Sequence, residues 1–295
     1  MAATPMMQQY REIKKAYPEA ILFFQMGDFF EMFFEDAETA APILEIALTG
    51  RDAGELGRVP MCGIPVHAVE NYLPRLVAKG YRVAVCEQVE ESGAIRGVVR
   101  REVTRVVTPG TVVEDRSMDE RRNNYLAVVA WAGHGFGLAA ADVSTGDFIV
   151  GIYTGGAAWE RVVEELARLA PSEVLLSTAG DGALPRSFGD HTPALVMPAP
   201  ASYRESGPEA LRAHLGGDVP VTAAWARHPA GAQAAGVLLV YLRETQKRAL
   251  VHLRNIRTPA QGWYMFVDAA TRRNLELTAA RDGGRRNTLL AVLDH

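Results

Sequence analysis

Residues 27–31 (GDFFE) place two adjacent aromatic side chains directly before an acid. Neighbouring side chains do not face the same core, so we expect one of Phe29 and Phe30 to point outward. An outward ring could act as a wedge between DNA base steps, partly unstacking and kinking the duplex. Stacking on a base contributes about 1–3 kcal/mol, which favours insertion where a mismatch or an unpaired base has already weakened the duplex. The alternative is that both rings fill the core.

Glu31 follows Phe29 by two residues, so its carboxylate could reach the edge of a base that stacks on Phe29. It would accept a hydrogen bond from a base donor or, if protonated, donate one to a base acceptor. The alternative is a solvated residue that complements the positive N-terminus of a helix. Glu31 is therefore a candidate base-contacting acid.

A basic cluster surrounds a predicted strand of residues 98–108 and consists of Arg96, Arg100, Arg101 and Arg105. Arginines in this arrangement could contact DNA phosphates and so position the domain on the duplex. An ordinary solvated sheet face is the alternative interpretation of the same spacing.

Asp142 and Asp147 flank the turn of a predicted hairpin and invite comparison with nucleases whose carboxylates converge on two metal ions. No further acid stands at a matching strand end, so solvated turn carboxylates are the favoured interpretation. A metal-dependent nuclease in this region is the rival hypothesis, and a protein-interaction module is a third.

Other chemistries lack their sequence signatures. The chain has neither a G-x-x-x-x-G-K-[ST] phosphate loop nor a G-x-S-x-G nucleophile elbow. Its two cysteines, Cys62 and Cys86, and its seven histidines lack zinc-site spacing, and we expect both cysteines to be buried thiols. We therefore expect no catalytic residue, no metal and no cofactor in this chain.

Length and composition indicate a folded protein of more than one domain. The 295 residues favour two domains, and 48% hydrophobic with 22% charged residues is typical of soluble globular proteins. The net charge of −4 argues against a protein that simply coats nucleic acid. Without a long apolar run or a secretory signal, the expected location is cytoplasmic, with no membrane contact.

The first part of the chain is predicted to mix helices and strands. Thr4 and Pro5 begin a helix that ends near Tyr17, and residues 21–26 form a buried strand. Gly27 and Asp28 are expected to lead directly into a second helix, which carries Phe29 and continues to about residue 48. A helix over residues 67–79 and strands over residues 81–88 and 98–108 complete this part.

A charged segment of residues 114–122 indicates a linker before a second domain that begins near Asn123. Three strands joined by tight turns follow, at residues 125–130, 137–143 and 146–153. The remaining predicted elements are a helix over 157–170, a strand over 173–176, a long apolar helix over 231–248, and helices over 268–280 and from about residue 287.

Five sequence blocks together resemble the MutS-type DNA mismatch-repair family. They span nearly the whole chain in family order: FFQMGDFFEMFFEDA (23–37), VPMCGIPVHAVENYLPRLVAKGYRVAVCEQVE (59–90), VTRVVTPGT (103–111), DVSTGDF (142–148) and DAATRRNLELT (268–278). The resemblance implies a mixed α/β fold class. A mismatch-binding domain (1–116), a linker (117–122), an RNase H-like connector without nuclease activity (123–256) and the start of a helical lever and core domain (257–295) would follow one another.

The same resemblance implies roles and partners. Phe29 would be the minor-groove wedge and Glu31 the base-contacting acid, in recognition of duplexes with mismatches or small loops. A second copy in the full-length dimer and a downstream mismatch-repair protein are expected partners, in a bacterial-type, nucleoid-associated setting. The family's ATPase, with its ATP and Mg²⁺, its clamp and its main dimer contacts are expected after residue 295, so this chain is not expected to be an enzyme.

Overall fold

The fold is that of a computed structural model, which describes residues 4–54, 56–89, 99–112, 123–132, 134–178, 194–216, 224–247, 250–259, 267, 271, 274–277, 280 and 288–293. The chain forms two compact units. The first comprises Met1–Leu126, Ala141–Gly146 and Leu238–Arg254, and the second comprises Ala127–Ala140, Asp147–Val237 and Asn255–His295. The domain boundaries given above stay predictions.

A mixed six-stranded sheet organises the first part of the chain. Its strands are β1 (Ala20–Met26), β2 (Phe29–Phe33), β3 (Thr49–Asp52), β4 (Arg58–Pro65), β5 (Arg82–Gln88) and β6 (Arg101–Val107). They lie in the order β3-β4-β2-β1-β5-β6. β1 and β5 are parallel, whereas β2 is antiparallel to β1 and β4, and β5 is antiparallel to β6.

Helices cover both faces of this sheet. The first helix, α1 (Pro5–Ala16), places Met7 and Tyr10 against Leu22 and Phe24 of β1. On the opposite face lie α2 (Glu35–Leu44) and α3 (Val69–Val77), which follows a short 3₁₀ helix (Val66–Ala68). There Phe23, Phe30 and Leu76 belong to one buried cluster. Because both faces are buried, β1 is apolar without alternation.

The prediction that a helix begins at Phe29 is wrong. Phe29–Phe33 is a strand, and the helix that follows begins only at Glu35 and ends at Leu44. The physical reason is that both faces of the strand carry apolar residues: Phe30 and Met32 face one helical layer, whereas Phe29 and Phe33 share the other face, so the sequence shows no period of two. The acids in the first turn of α2 (Glu35, Asp36, Glu38) suit the positive end of that helix.

Other predicted elements of this part are confirmed. The side chain of Thr4 accepts a hydrogen bond from the amide of Met7, and Pro5 is the first residue of α1. Gly80, with a φ of +85°, follows α3. The strands expected over residues 81–88 and 98–108 correspond to β5 and β6.

A second six-stranded sheet has the order β11-β10-β7-β8-β9-β12. Its strands are β7 (Tyr125–Ala132), β8 (Gly135–Asp142), β9 (Asp147–Thr154), β10 (Glu173–Thr178), β11 (Leu195–Pro198) and β12 (Ile256–Arg257). The predicted run of three strands is confirmed by β7, β8 and β9, which are neighbours in chain order. β11 is parallel to β10, and β12 is parallel to β9.

Helices accompany the second sheet: α4 (Ala158–Leu169), α5 (Ala201–His214), α6 (Ala224–Arg227) and α7 (Pro229–Gln246). The helices expected over residues 157–170 and 231–248 are thus confirmed as α4 and α7. Close approaches rely on glycine: a Cβ at Gly137 would lie 2.0 Å from the carbonyl oxygen of Ala230. A Cβ at Gly236 would lie 2.6 Å from the backbone of Gly207, where α7 meets α5.

The mixed α/β fold class is confirmed, and the helical third part is supported in part by the short helix α8 (Leu289–Leu293). A 3₁₀ helix (Val251–Arg254) follows α7. The linker expected over 117–122 lies outside the described residues, as does most of the helix expected over 268–280. Within the described residues, no helix combines the length and the apolar character needed to cross a membrane.

Candidate nucleic-acid interface

A tight hairpin turn presents Phe29 at one end of the first sheet. Met26 and Phe29 are paired across the turn, which leaves Gly27 and Asp28 as its two central residues. Gly27 has a φ of +59°, as the first central position of a type II′ turn requires. The carbonyl of Asp28 accepts a 2.8 Å hydrogen bond from the amide of Val66, which ties the turn to the segment after β4.

Phe29 and Phe30 point to opposite sides of β2. The side chain of Phe30 is 1% exposed, and its ring lies 6.0 Å from that of Phe23 between centroids. Phe29 is 48% exposed and is the only exposed phenylalanine among the described residues. The expectation that one ring of the pair points outward is therefore confirmed, and strand geometry rather than helix geometry is the cause.

Glu31 lies on the same face of β2 as Phe29. Alternate residues of a strand share a face and lie about 7 Å apart, whereas residues two apart on a helix do not face each other. The opposing residue on β4 is Gly63, where a Cβ would lie 3.6 Å from Cγ of Glu31. The strand thus brings together the two side chains that the sequence singled out, and Glu31 is not at a helix N-terminus.

The carboxylate of Glu31 accepts a hydrogen bond from the guanidinium group of Arg51 on β3. The pair is half-buried, with side-chain exposures of 15% for Glu31 and 34% for Arg51. Sequence reasoning missed Arg51 because the contact joins residues 20 apart, through the β3–β4 hairpin. The only sequence signal was an arginine beside Gly50 in a polar segment, which predicts nothing specific.

Arg101 is buried rather than solvated. Its guanidinium group donates to the carbonyls of Gln25 (2.6 Å) and Val99 (2.9 Å) and lies 4.8 Å from the ring centre of Phe24. Burial lowers the pKa of Arg101, and the negative charge of Glu31 acts in the opposite direction. With its donors engaged inside the protein, Arg101 holds the strand ends together, and its expected phosphate contact gains no support from this geometry.

The other predicted arginines occupy different positions. Arg100, at the same end of the sheet as the hairpin turn, has a 66% exposed side chain that pairs with Glu102. Arg105 is half-buried and lies opposite Val85, nearer the middle of the sheet. Arg96 lies outside the described residues. Of the three described members of the basic cluster, Arg100 is therefore the most accessible.

Two family models match the chain: MutS domain I over residues 4–116 and MutS domain II over residues 124–254. The chain belongs to the MutS family. The residues that carry the site, Phe29, Glu31 and Arg51, all fall within the domain I match. The resemblance drawn from the five sequence blocks is thereby confirmed.

Curated relatives named DNA mismatch repair protein MutS are similar to this chain along nearly its whole length. The relative from Pelotomaculum thermopropionicum is 50% identical over 297 residues, covering 98% of this chain. Those from Symbiobacterium thermophilum and Desulforamulus reducens are each 46% identical, covering 99% and 100%. The chain spans 34% of the length of each of these three relatives.

Asp142 falls in the part matched by MutS domain II, and the expectation of a solvated carboxylate is wrong for this residue. Its side chain accepts hydrogen bonds from the amides of Asn124 (3.1 Å) and Ser144 (2.8 Å) and from the hydroxyl of Ser144 (2.6 Å). The residue is 1% exposed. Asp142 therefore fixes the turn after β8.

Asp147, the other acid of the hairpin, pairs with Arg257. In the part of the chain that the structure describes, no group of three or more His, Cys, Asp or Glu side chains is placed to hold a metal ion. Within that part, the geometry gives the rival nuclease hypothesis no support.

The two thiols of this MutS-family chain are buried, as predicted. Burial and the charge of Asp36 raise the pKa of Cys62 to about 11. Burial also raises the pKa of Cys86 to about 12, against the opposing effect of Arg101. Both side chains are therefore protonated and unreactive near neutral pH.

Proposed function

We propose that this chain recognises mismatched or unpaired bases in double-stranded DNA by inserting Phe29 into the minor groove. The observation that carries the proposal is the exposed ring of Phe29 at the tip of a tight hairpin, with Glu31 on the same face. Membership of the MutS family supports it, since the similar relatives are named DNA mismatch repair proteins.

Selectivity for errors follows from the cost of insertion. Wedging a side chain between base steps costs a few kcal/mol of stacking, and stacking of a base on the ring returns about 1–3 kcal/mol. These two quantities nearly cancel on an intact duplex. A mismatched or unpaired base is already less well stacked, so the cost is smaller there and insertion becomes favourable without sequence readout.

Glu31 would hydrogen-bond the base that stacks on Phe29. A carboxylate accepts from base amino or imino groups, which a mismatch displaces from their Watson–Crick partners. Arg100 is the first candidate for a phosphate contact because it is exposed at the same end of the sheet. Arg105 and Arg96 stay candidates, whereas Arg101 acts through packing.

Neither contact requires a metal ion or a nucleotide. We accordingly assign ATP hydrolysis to no residue of this chain. For the full-length family protein we further propose dimerisation and contact with a downstream repair protein. These two proposals rest on family membership alone.

The test is the ratio of affinities for two matched duplexes. Fluorescence anisotropy at low salt would give the dissociation constants of this chain for a duplex with one G·T mismatch and for the fully paired duplex. Phe29→Ala is expected to remove most of the preference, which at the stacking energy above is about tenfold or more. Tyr81→Ala is the matched control.

Tyr81 suits this purpose because it is 38% exposed and precedes Arg82, which pairs with Ala20 at the sheet end opposite Phe29. We expect Tyr81→Ala to retain the preference for the mismatch. An unaltered chain that binds both duplexes equally, or a Phe29→Ala variant that keeps the full preference, would overturn the proposal.

A further inference from the structure

Arg51 is the residue of the site to which the proposed function gives no role. Its guanidinium group reaches from β3 across β4 to the carboxylate of Glu31 on β2. Among the residues that the structure describes, the charged group of Arg51 pairs with Glu31 alone. The side chain of Arg51 is also 34% exposed to solvent.

The ion pair of Arg51 with Glu31 reduces the repulsion between the Glu31 carboxylate and DNA phosphates. A lone carboxylate facing DNA would be repelled by the phosphates, which carry one negative charge per about 1.7 Å of duplex. Together, the carboxylate of Glu31 and the guanidinium group of Arg51 present no net charge to an intact duplex. Partly exposed ion pairs contribute little to stability, so this one can be exchanged for another partner at low cost.

The second arginine near Glu31 cannot make such an exchange. Arg101 interacts electrostatically with Glu31, but its donors are held by the carbonyls of Gln25 and Val99 and by the side chain of Gln9. Moving it would break three hydrogen bonds of a buried guanidinium group, which is costly. Arg51 makes no comparable set of contacts in the described part of the chain.

We propose that Arg51 is a positioning residue that holds Glu31 while no base is engaged and moves to a DNA phosphate when Glu31 takes a displaced base. The inference rests on the proposed function of Glu31. Its consequence is one additional phosphate contact on a mismatched duplex relative to an intact one, made by Arg51.

The number of phosphate contacts is measured by the salt dependence of binding. Each contact steepens the plot of log K against log salt by about 0.9. For the unaltered chain we expect the slope on a G·T duplex to exceed that on the paired duplex by about this amount. For Arg51→Gln we expect the two slopes to be equal, and for Arg51→Lys we expect the difference to return because the charge is restored.

Glu31→Gln is the complementary variant. It removes the carboxylate with which Arg51 pairs, so Arg51 is released even on a fully paired duplex. We expect its slope on the paired duplex to be steeper by about 0.9, and we expect this change to vanish in the double variant with Arg51→Gln. If Glu31→Gln acted only by removing a negative charge, it would change the slope by the same amount with and without the Arg51→Gln substitution.

Arg58→Gln is the matched control, since Arg58 is an exposed arginine of the same hairpin, opposite Asp52. It is expected to keep the slope difference between the two duplexes. The Arg51 inference is overturned if Arg51→Gln keeps that difference, or if Arg58→Gln loses it equally. The same titrations also give the mismatch preference of Phe29→Ala. If that variant keeps the full preference, the proposed function fails, and this result is distinct from a failure of the Arg51 inference.

Discussion

Phe29 and Phe30 are neighbours in the chain but lie in opposite environments, 48% and 1% exposed. Strand β2 separates them because its side chains alternate, and the two-residue turn before it brings Phe29 to the tip of the hairpin. Glu31 then shares the face of Phe29. One local feature of the backbone therefore produces both halves of the proposed recognition element.

The turn that presents Phe29 depends on the positive φ of Gly27. Gly27→Ala is expected to reduce the free energy of unfolding by about 1 kcal/mol, because an L-residue is strained in that conformation. A Cβ there would meet nothing within 4 Å, so steric overlap adds no cost. Urea unfolding measures the change, and Gly27→Asn should lose less because Asn tolerates positive φ. Equal stability of the alanine variant and the unaltered chain would contradict this account of the turn.

The buried thiols predict a loss of stability at alkaline pH. Burial raises the pKa of Cys86 to about 12 and that of Cys62 to about 11, from 9.0 in both cases. Above pH 9 the unfolded chain releases these protons while the folded chain retains them, so the free energy of unfolding falls as pH rises. The two thiols together should contribute a decrease of about 2 kcal/mol between pH 9 and 10.

The double variant Cys62→Ala, Cys86→Ala isolates that contribution. Its free energy of unfolding should fall less between pH 9 and 10, whatever its absolute value. Burial also raises the pKa of Tyr10, but from 10.0, so its contribution develops mainly above this window. The same pH dependence in the variant and the unaltered chain would show that the thiols are not responsible.

Two glycines of the second part form a matched pair for testing its packing. A Cβ at Gly137 would lie 2.0 Å from the carbonyl oxygen of Ala230, at the start of α7. Gly137→Ala is therefore expected to cost about 2–3 kcal/mol. At Gly156 a Cβ would meet nothing within 4 Å, and Gly156→Ala should leave the urea midpoint nearly unchanged. A tolerated Gly137→Ala would show that α7 does not pack against β8 this closely.

Periodicity and turn signals predicted most elements, including the cap of α1, the three strands β7 to β9 and the long helix α7. They failed at β2, because apolar side chains occupy both faces of this strand, so its sequence lacks the polar and apolar alternation that distinguishes a strand from a helix. The expectation of one outward-facing ring is confirmed despite this error, because it depended only on the two aromatics being adjacent. The roles of Phe29 and Glu31, which the family resemblance implies, stay predictions.

Contacts between distant residues were beyond sequence reasoning. The pair of Arg51 with Glu31 requires the pairing of three strands, and no local spacing indicates it. Burial of Arg101 and Asp142 was missed for the same reason: their polar groups are satisfied by backbone atoms whose proximity only the fold creates.

The most direct measurement of the central claim places a fluorescent base analogue, 2-aminopurine, next to a G·T mismatch. Insertion of Phe29 should unstack or restack the analogue and change its emission on binding. At equal occupancy we predict a large change for the unaltered chain and for Tyr81→Ala, and little change for Phe29→Ala. Equal emission changes for Phe29→Ala and the unaltered chain would contradict the proposal that this ring enters the duplex.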